Sequence, residues 1–433
     1  VKDNGVCSFL AMGDFCPVSP DPTSTTGSML RTGTWVGKGL ARVITDADVA
    51  MVNLEGPIAG AGSRVPKAGA ALSIDSAACD ALGSQGINVV CLANNHIMDY
   101  GWEGLRHTLA LCEAKGLRTC GAGEDRDAAL QPLHLTESSG MRVAVMAVCE
   151  HEFGRAGPAS PGTGWVSDPG LCTLIREVKQ ITDVVIVAAH GGCEEVPFPS
   201  PQRRAQLRRL VDAGADLVIG HHAHVPQGWE KWGSGLIIFS LGDFYFRWQD
   251  GSHDPTRRWS IATLAHFGAG RLQGVEIIPL ERQPNEGVDV LDSESVAQKR
   301  LTYLGELAKI AGGDDLLSFW QVTARYLWNE RYRPYMERIA GNHFCRNRFQ
   351  SLKRTISGTL DRLRVRLTGY SKPDRRDPTP DSQELLLLTL LRTESHRWAM
   401  ETWLSLATGD AECESDTEIE QEFERFMAMM RTL

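Results

Sequence analysis

The chain has 433 residues, 42% of them hydrophobic and 23% charged, an ordinary globular composition with material for more than one domain. A net charge of −9 excludes the basic overall surface that non-specific nucleic-acid binding requires. No apolar stretch approaches the roughly 18 residues of a membrane helix, no charged-then-apolar leader opens the chain, and the eleven cysteines contain no C-x-x-C pair. The expectation is a cytoplasmic protein with buried free thiols and neither a nucleic-acid nor a membrane partner.

From residue 6 to about 280, short apolar runs alternate with amphipathic stretches, the pattern of an α/β fold. Strands are predicted over 6–12, 49–54, 88–93, 143–148, 184–189, 217–219 and 236–241, on β-branched content and the Gly, Asn and Asp residues that follow. Helical spacing covers 102–114, 171–180 and 202–213, with Gly116 and Gly214 as stops. Segments 262–267 and 273–279 read as a closing antiparallel pair. After Glu281 the pattern turns helical, over 296–310, 316–329, 349–367, 383–408 and 418–430, interrupted at 372–381 by Pro373, Pro378 and Pro380. Residues 1–281 are therefore read as a catalytic domain and 282–433 as a mostly helical region. Within that region a basic cluster from Arg346 to Arg376 precedes an acidic run from Asp410 to Glu424. The plain reading is solvated helix faces, and the alternative is a docking surface for an anionic partner. Trp320, Tyr326, Trp328, Tyr332 and Tyr335, with Arg325, Arg331 and Arg333, read first as helix packing and second as a peptide hold.

The chemistry-bearing residues collect just past the predicted strands. Asp14 ends the first and Asn53-Leu54-Glu55-Gly56 the second; Asn94-Asn95-His96 ends the third, with Asp99 three residues on. His190 ends a later strand, and Gly220-His221-His222-Ala223-His224-Val225 follows the next. Side chains alternate along a strand, so imidazoles at i and i+2 are expected on one side. Each cluster has an alternative, such as a helix cap or Asx-turn for Asp14 or Asn53 and a satisfied loop histidine for His190. Their joint recurrence on the rim where α/β sheets bind ligands points instead to mixed oxygen and nitrogen ligands for Mn, Fe, Zn or Ca.

These motifs, with Leu92-Ala93 before Asn94, Asp99-Tyr100-Gly101, and Ser240-Leu241-Gly242-Asp243-Phe244, resemble the CapA family of poly-γ-glutamate capsule synthesis, itself similar to calcineurin-like metallophosphatases. The resemblance covers about residues 6–280 and implies an α/β/β/α sandwich with the site at the strand ends. It also implies one or two divalent metal ions: Asp14, Glu55 and His224 at one position, and Glu55, Asn95, His190 and His222 at a second. His96 matches the proton-exchanging histidine and Asp99 its orienting partner. Asn53, Asn94 and His221 are read as substrate contacts. Against the phosphatase pattern, Cys16 replaces a histidine two residues after Asp14, and Glu55 replaces a bridging aspartate. Against the usual CapA pattern, Gly191 stands where tryptophan is common and Asp243 where asparagine is common.

Three functions compete: phosphoester hydrolysis, action on poly-γ-glutamate, and epimerisation of a peptide. Soluble relatives in lasso-peptide biosynthesis invert a C-terminal tryptophan, and the layout here resembles theirs. Inversion needs one base, one acid on the opposite face, and stabilisation of the enolate between them. His96 with Asp99 is one pair, and His222 or His224 with Asp14 the other. The leading expectation is a metal-dependent epimerase of a peptide substrate, with metal-dependent phosphoester or peptide hydrolysis as the alternative.

Overall fold

The apolar runs of the first 280 residues pair into two stacked sheets in the computed structural model, which describes residues 6–18, 25–137, 140–247, 259–282, 287–340, 383–408, 410–411 and 417–433. In the first sheet, β1 (Val6–Pro17), β2 (Val49–Leu54), β3 (Val89–Cys91) and β4 (Arg118–Cys120) run parallel. Beyond β1 lie the antiparallel strands β14 (Trp259–Gly268), β15 (Arg271–Arg282) and β16 (Val288–Val290). A further strand, β13 (Asp243–Arg247), lies parallel to the end of β1. The second sheet orders β11 (Trp229–Trp232), β12 (Gly235–Ile238), β10 (Leu217–His221), β9 (Val184–His190), β7 (Arg142–Cys149) and β6 (Leu133–Thr136). Its four central strands are parallel and its two edges antiparallel. A small pair, β5 (Ala122–Gly123) and β8 (Gly162–Thr163), stands apart.

Alternation along the strands builds three apolar layers. Phe9, Ala11, Val49 and Met51 meet Val143, Val145, Ile186 and Ile219 between the sheets. The opposite face of the first sheet, with Leu10, Met12, Ala50 and Val52, packs on helical Leu40, Ile44 and Leu105. That of the second, with Ala144, Met146, Val185 and Val187, packs on Ile175, Leu207 and Leu210. Burial on both faces explains why the parallel strands read as nearly continuous apolar runs. The result is the four-layered α/β/β/α sandwich. Because the parallel strands of each sheet share a direction, the residues at their carboxyl ends gather on one rim.

The C-terminal region is mostly helical where described. Tyr303, Leu304 and Leu307 of helix Glu294–Gly312, with Phe423 and Phe426 of helix Thr417–Thr432, join the inter-sheet layer beside Phe198 and Trp259. The helix expected over 349–367, the link at 372–381 and the basic cluster lie outside the described residues. Two helices differ from expectation. The span 316–329 is α-helical only over Leu316–Leu327, and a π-helical turn follows at Trp328–Tyr332. The span 383–408 is two helices, Gln383–Arg392 and Glu394–Thr408, parted at Thr393. The sequence does carry a sign of the break: residues 392–397 are all polar and Thr393 stands where a helix N-cap would, which the reading of one helix over 383–408 passed over. A contact from elsewhere in the chain accompanies the break. The Ser395 amide and hydroxyl, freed at the new helix start, each bond the Glu150 carboxylate at 3.0 Å. Among the described residues no helix is long and apolar enough to cross a membrane.

Candidate metal centre

Strand register does most of the assembly. Asp14 pairs across the sheet with Asn53 on one side and Asp243 on the other, while His221 pairs with His190. Register shifts flank Asp14 on both sides, the local bulging that commonly re-aims a side chain at a site. Beside it, a Cβ built on Gly13 would lie 1.9 Å from the Gly242 carbonyl oxygen. Gly13→Ala is therefore expected to force β1 and β13 apart, lowering stability by roughly 1–3 kcal/mol in chemical denaturation and reducing metal uptake in the same samples.

The strand-end residues converge. His190 Nε2 lies 3.9 Å from Glu55 Oε1 and 3.0 Å from Asn95 Oδ1, and His222 Nδ1 lies 3.1 Å from His190 Nε2. His224 Nε2 lies 3.8 Å from the same Glu55 oxygen, and its Nδ1 is 3.8 Å from Asp14 Oδ2. Two ligand-type triads result, Glu55–His190–His222 and Asp14–His224–Asp243, with a third formed by Glu194, His222 and His224.

Strand alternation is not what brings His222 and His224 together. Strand β10 ends at His221, and both later histidines have left-handed backbones, with φ of 89° and 59°. That conformation costs a non-glycine residue roughly 1–2 kcal/mol and turns the chain sharply at each ligand.

Electrostatics prepare the set for a cation. Burial alone would raise the Asp14 carboxyl, but the bond to His221 and the neighbouring imidazoles hold it well below the usual carboxylate range. Burial, followed by the charge of His222, pushes His190 well below its ordinary value. Burial likewise brings His222 down to about 3. Ionised carboxylate and neutral imidazole are the ligand forms a divalent metal needs, so the donor set fits one. Cys16 does not join it. Its side chain packs in the helix-side layer, and burial, then Glu55, pushes its thiol well up, away from the thiolate form.

Asn53, Asn94 and His221 lie behind the ligands, each about 1% exposed. Asn53 Nδ2 donates to Asp14 at 2.8 Å, Asn94 Nδ2 donates to the Leu54 carbonyl at 2.8 Å, and His221 Nδ1 is 3.2 Å from Asp14. The two asparagine bonds tether the Asp14 carboxylate and the backbone just before Glu55. A substrate contact, as read from the sequence, would need polar atoms turned outward.

His96 sits beside Asn95 with its Nδ1 2.7 Å from Asp99 Oδ2, as the motif implied. Beneath the pair is Lys67, itself buried, which ion-pairs with Asp99 and stands 3.1 Å from His96 Nδ1. Burial, then Lys67, lowers the His96 pKa; burial raises that of Asp99, and the charges of His96 and Lys67 more than offset it. The carboxylate closest to His224 is Asp243, at 2.7 Å from Nδ1, rather than Asp14.

Sequence reasoning missed Lys67, Glu150, Glu152 and Glu194, and read Asp243 only as a departure. Glu150 follows β7 directly, so the strand-end rule would have found it had it been applied to that strand. Its Oε1 lies 3.8 Å from His222 Nε2, and burial pushes its pKa up to about 7. A Cβ on Gly191 would meet the Glu150 side chain at 3.1 Å, so this carboxylate fills the space beside the glycine that departs from the family pattern. Glu152 is pushed up to about 8, also by burial. Lys67 lies far from any strand end and left no signal.

A family model described as bacterial capsule synthesis protein PGA_cap matches residues 9–247, more than half of the chain, a span that includes Asp14, Glu55, Asn95, His190, His222, His224 and Asp243. The PGA biosynthesis protein CapA of Bacillus subtilis (strain 168) is 31% identical over 233 residues, 53% of this chain and 59% of that protein. A probable polyglutamine synthesis accessory protein of Mycobacterium tuberculosis (strain CDC 1551 / Oshkosh) is 29% identical over 252 residues, 54% and 66% of the two chains. The chain thus spans somewhat under two thirds of the length of either relative. Among solved structures, a hypothetical protein from Thermus thermophilus aligns with a TM-score of 0.41 at 17% identity, over 63% of this chain and 99% of that one. A 5'-nucleotidase from Candida albicans SC5314 aligns with a TM-score of 0.38 at 11% identity, over 65% and 52%. With the family model spanning the whole strand-end rim in chain order, the protein belongs to the bacterial capsule synthesis protein family PGA_cap.

Proposed function

We propose that this family member is a metal-dependent peptide epimerase that inverts a Cα centre next to a carboxylate, as at a C-terminal tryptophan. The observation that carries the reading is the presence of two imidazoles, the partly exposed His96 and the buried His224, each with Nδ1 tied to a carboxylate at 2.7 Å. Each pair borders the donor cluster, His96 through Asn95 and His224 through Glu55. A carboxylate on Nδ1 fixes the ring and stabilises the imidazolium, so Nε2 is the atom that exchanges a proton. One pair takes the Cα proton and the carbon–hydrogen electron pair moves onto the adjoining carboxylate oxygens. The other pair then returns a proton to the opposite face, leaving no net change in atoms or charge. Glu55, His190, His222 and Asn95 would hold the divalent cation, which supplies the positive charge that makes a carboxylate-bearing carbon acidic enough to ionise.

The direct test incubates the metal-loaded full chain in deuterium oxide with a peptide ending in tryptophan. One deuterium at Cα, with loss of stereochemical purity, is the expected outcome. Phosphate release from model esters with no deuterium uptake would overturn the reading. One observation favours that second reading, a metal-dependent hydrolase: Asp243 completes a second carboxylate–imidazole set with Asp14 and His224, and hydrolases of phosphoesters often use two cations.

A further inference from the structure

The helical C-terminal region lies outside the family-model match, yet it is anchored at the rim of the metal centre. Ser395 bonds Glu150, whose Oε1 is 3.8 Å from His222. Arg331 bridges Glu194 at 3.4 Å and Glu195 at 3.6 Å, tying the π-helical turn to the loop after β9. Such turns are rare and frequently occur at functional sites. This one carries the fully buried Tyr332, whose hydroxyl lies 3.0 Å from His396 Nδ1 with the rings at 75°. The geometry therefore fixes the His396 ring next to the residue that contacts Glu150, the carboxylate 3.8 Å from His222. Among the described residues, no protein group bonds His396 Nε2.

We propose that His396, held by Tyr332 on the helical C-terminal region, is a substrate-binding residue of the metal centre whose Nε2–H donates a hydrogen bond to an oxyanion of the ligand. The Tyr332 hydroxyl is assigned as donor to Nδ1, 3.0 Å away, which places the ring proton on Nε2 and makes the imidazole a neutral donor. Burial, then Arg331, keeps it uncharged, with a pKa down to about 4. The proposal rests on the epimerase reading only in naming the oxyanion as a peptide's terminal carboxylate. A phosphoryl group presents the same acceptor chemistry.

The test is calorimetric titration of the Mn-loaded full chain with N-acetyltryptophan and, separately, with inorganic phosphate. N-acetyltryptophan is expected to bind, and His396→Ala to weaken it about 10- to 100-fold, the loss of one hydrogen bond to a charged group. Tyr332→Phe should weaken it less, and His396→Gln, which keeps an N–H donor, should recover most of the affinity. Metal content and circular dichroism should match the parent in all three. His396-dependent binding of phosphate alone would support the oxyanion site and reject the carboxylate. His396-dependent binding of N-acetyltryptophan with no Cα exchange would support the site and reject epimerisation. Unchanged affinity in His396→Ala, no binding of either anion by the parent, or equal losses in the Ala and Gln variants would overturn the proposal. Histidine-ring NMR gives an independent check. His396 should remain neutral at pH 6, whereas an ordinary histidine would be mostly protonated there, and it should charge only as pH falls through about 4.

Discussion

Glu55→Gln should cost the protein its metal. One Glu55 oxygen stands between His190 and His224, at 3.9 Å and 3.8 Å, so the substitution takes a full negative charge from the position both imidazole groups share. Glutamine keeps the shape but offers only a neutral carbonyl, and hard or borderline cations bind anionic oxygen far better. Because outer-sphere changes alone weaken metal sites about 10- to 100-fold, loss of this carboxylate should exceed roughly 100-fold. Metal analysis after dialysis and competition with a chelator measure it directly, and the variant should stay folded because the isosteric side chain leaves no cavity. Retention of parental affinity would remove Glu55 from the ligand set.

The second large effect concerns proton transfer. His96→Ala should abolish Cα exchange by about 10²- to 10⁴-fold, the usual contribution of a positioned acid or base, with metal content unchanged. Asp99→Asn should fall in the same direction, because it removes the partner at 2.7 Å from Nδ1 and leaves Lys67, buried beneath, without its counter-ion. An uncompensated buried ammonium is expensive, so Asp99→Asn should also lose stability, by about 3–5 kcal/mol, where His96→Ala loses little. A chemical-denaturation series on the two variants separates the effects. If His96→Ala kept full exchange while His224→Ala lost it, the assignment of His96 would be wrong.

The first 280 residues were legible because burial on both sheet faces writes long apolar runs, and parallel strands place every run's end on one rim. That rule found Asp14, Glu55, His190 and the Gly220–Val225 motif from spacing alone. It was less informative about local geometry. The histidines of that motif converge through left-handed turns, which no side-chain alternation announces. Lys67 was invisible because a long loop carries it to Asp99 across 32 positions in sequence. Short helices such as Ala78–Ser84 and Arg126–Leu130 span too few turns to display a period. The division at Thr393 was passed over although the polar run 392–397 interrupts the apolar period there, whereas the contact of Ser395 with a carboxylate 245 positions earlier left no signal.

That division makes the sandwich and its appended helices chemically interdependent. A single uninterrupted rod would have kept the Ser395 amide within its own ladder. Deleting 383–433 would leave Glu150, deep beside His222, to find water or a proton in place of two lost donors. A chain cut before residue 383 would carry an altered charge beside His222, so shortening it changes the chemistry of the rim.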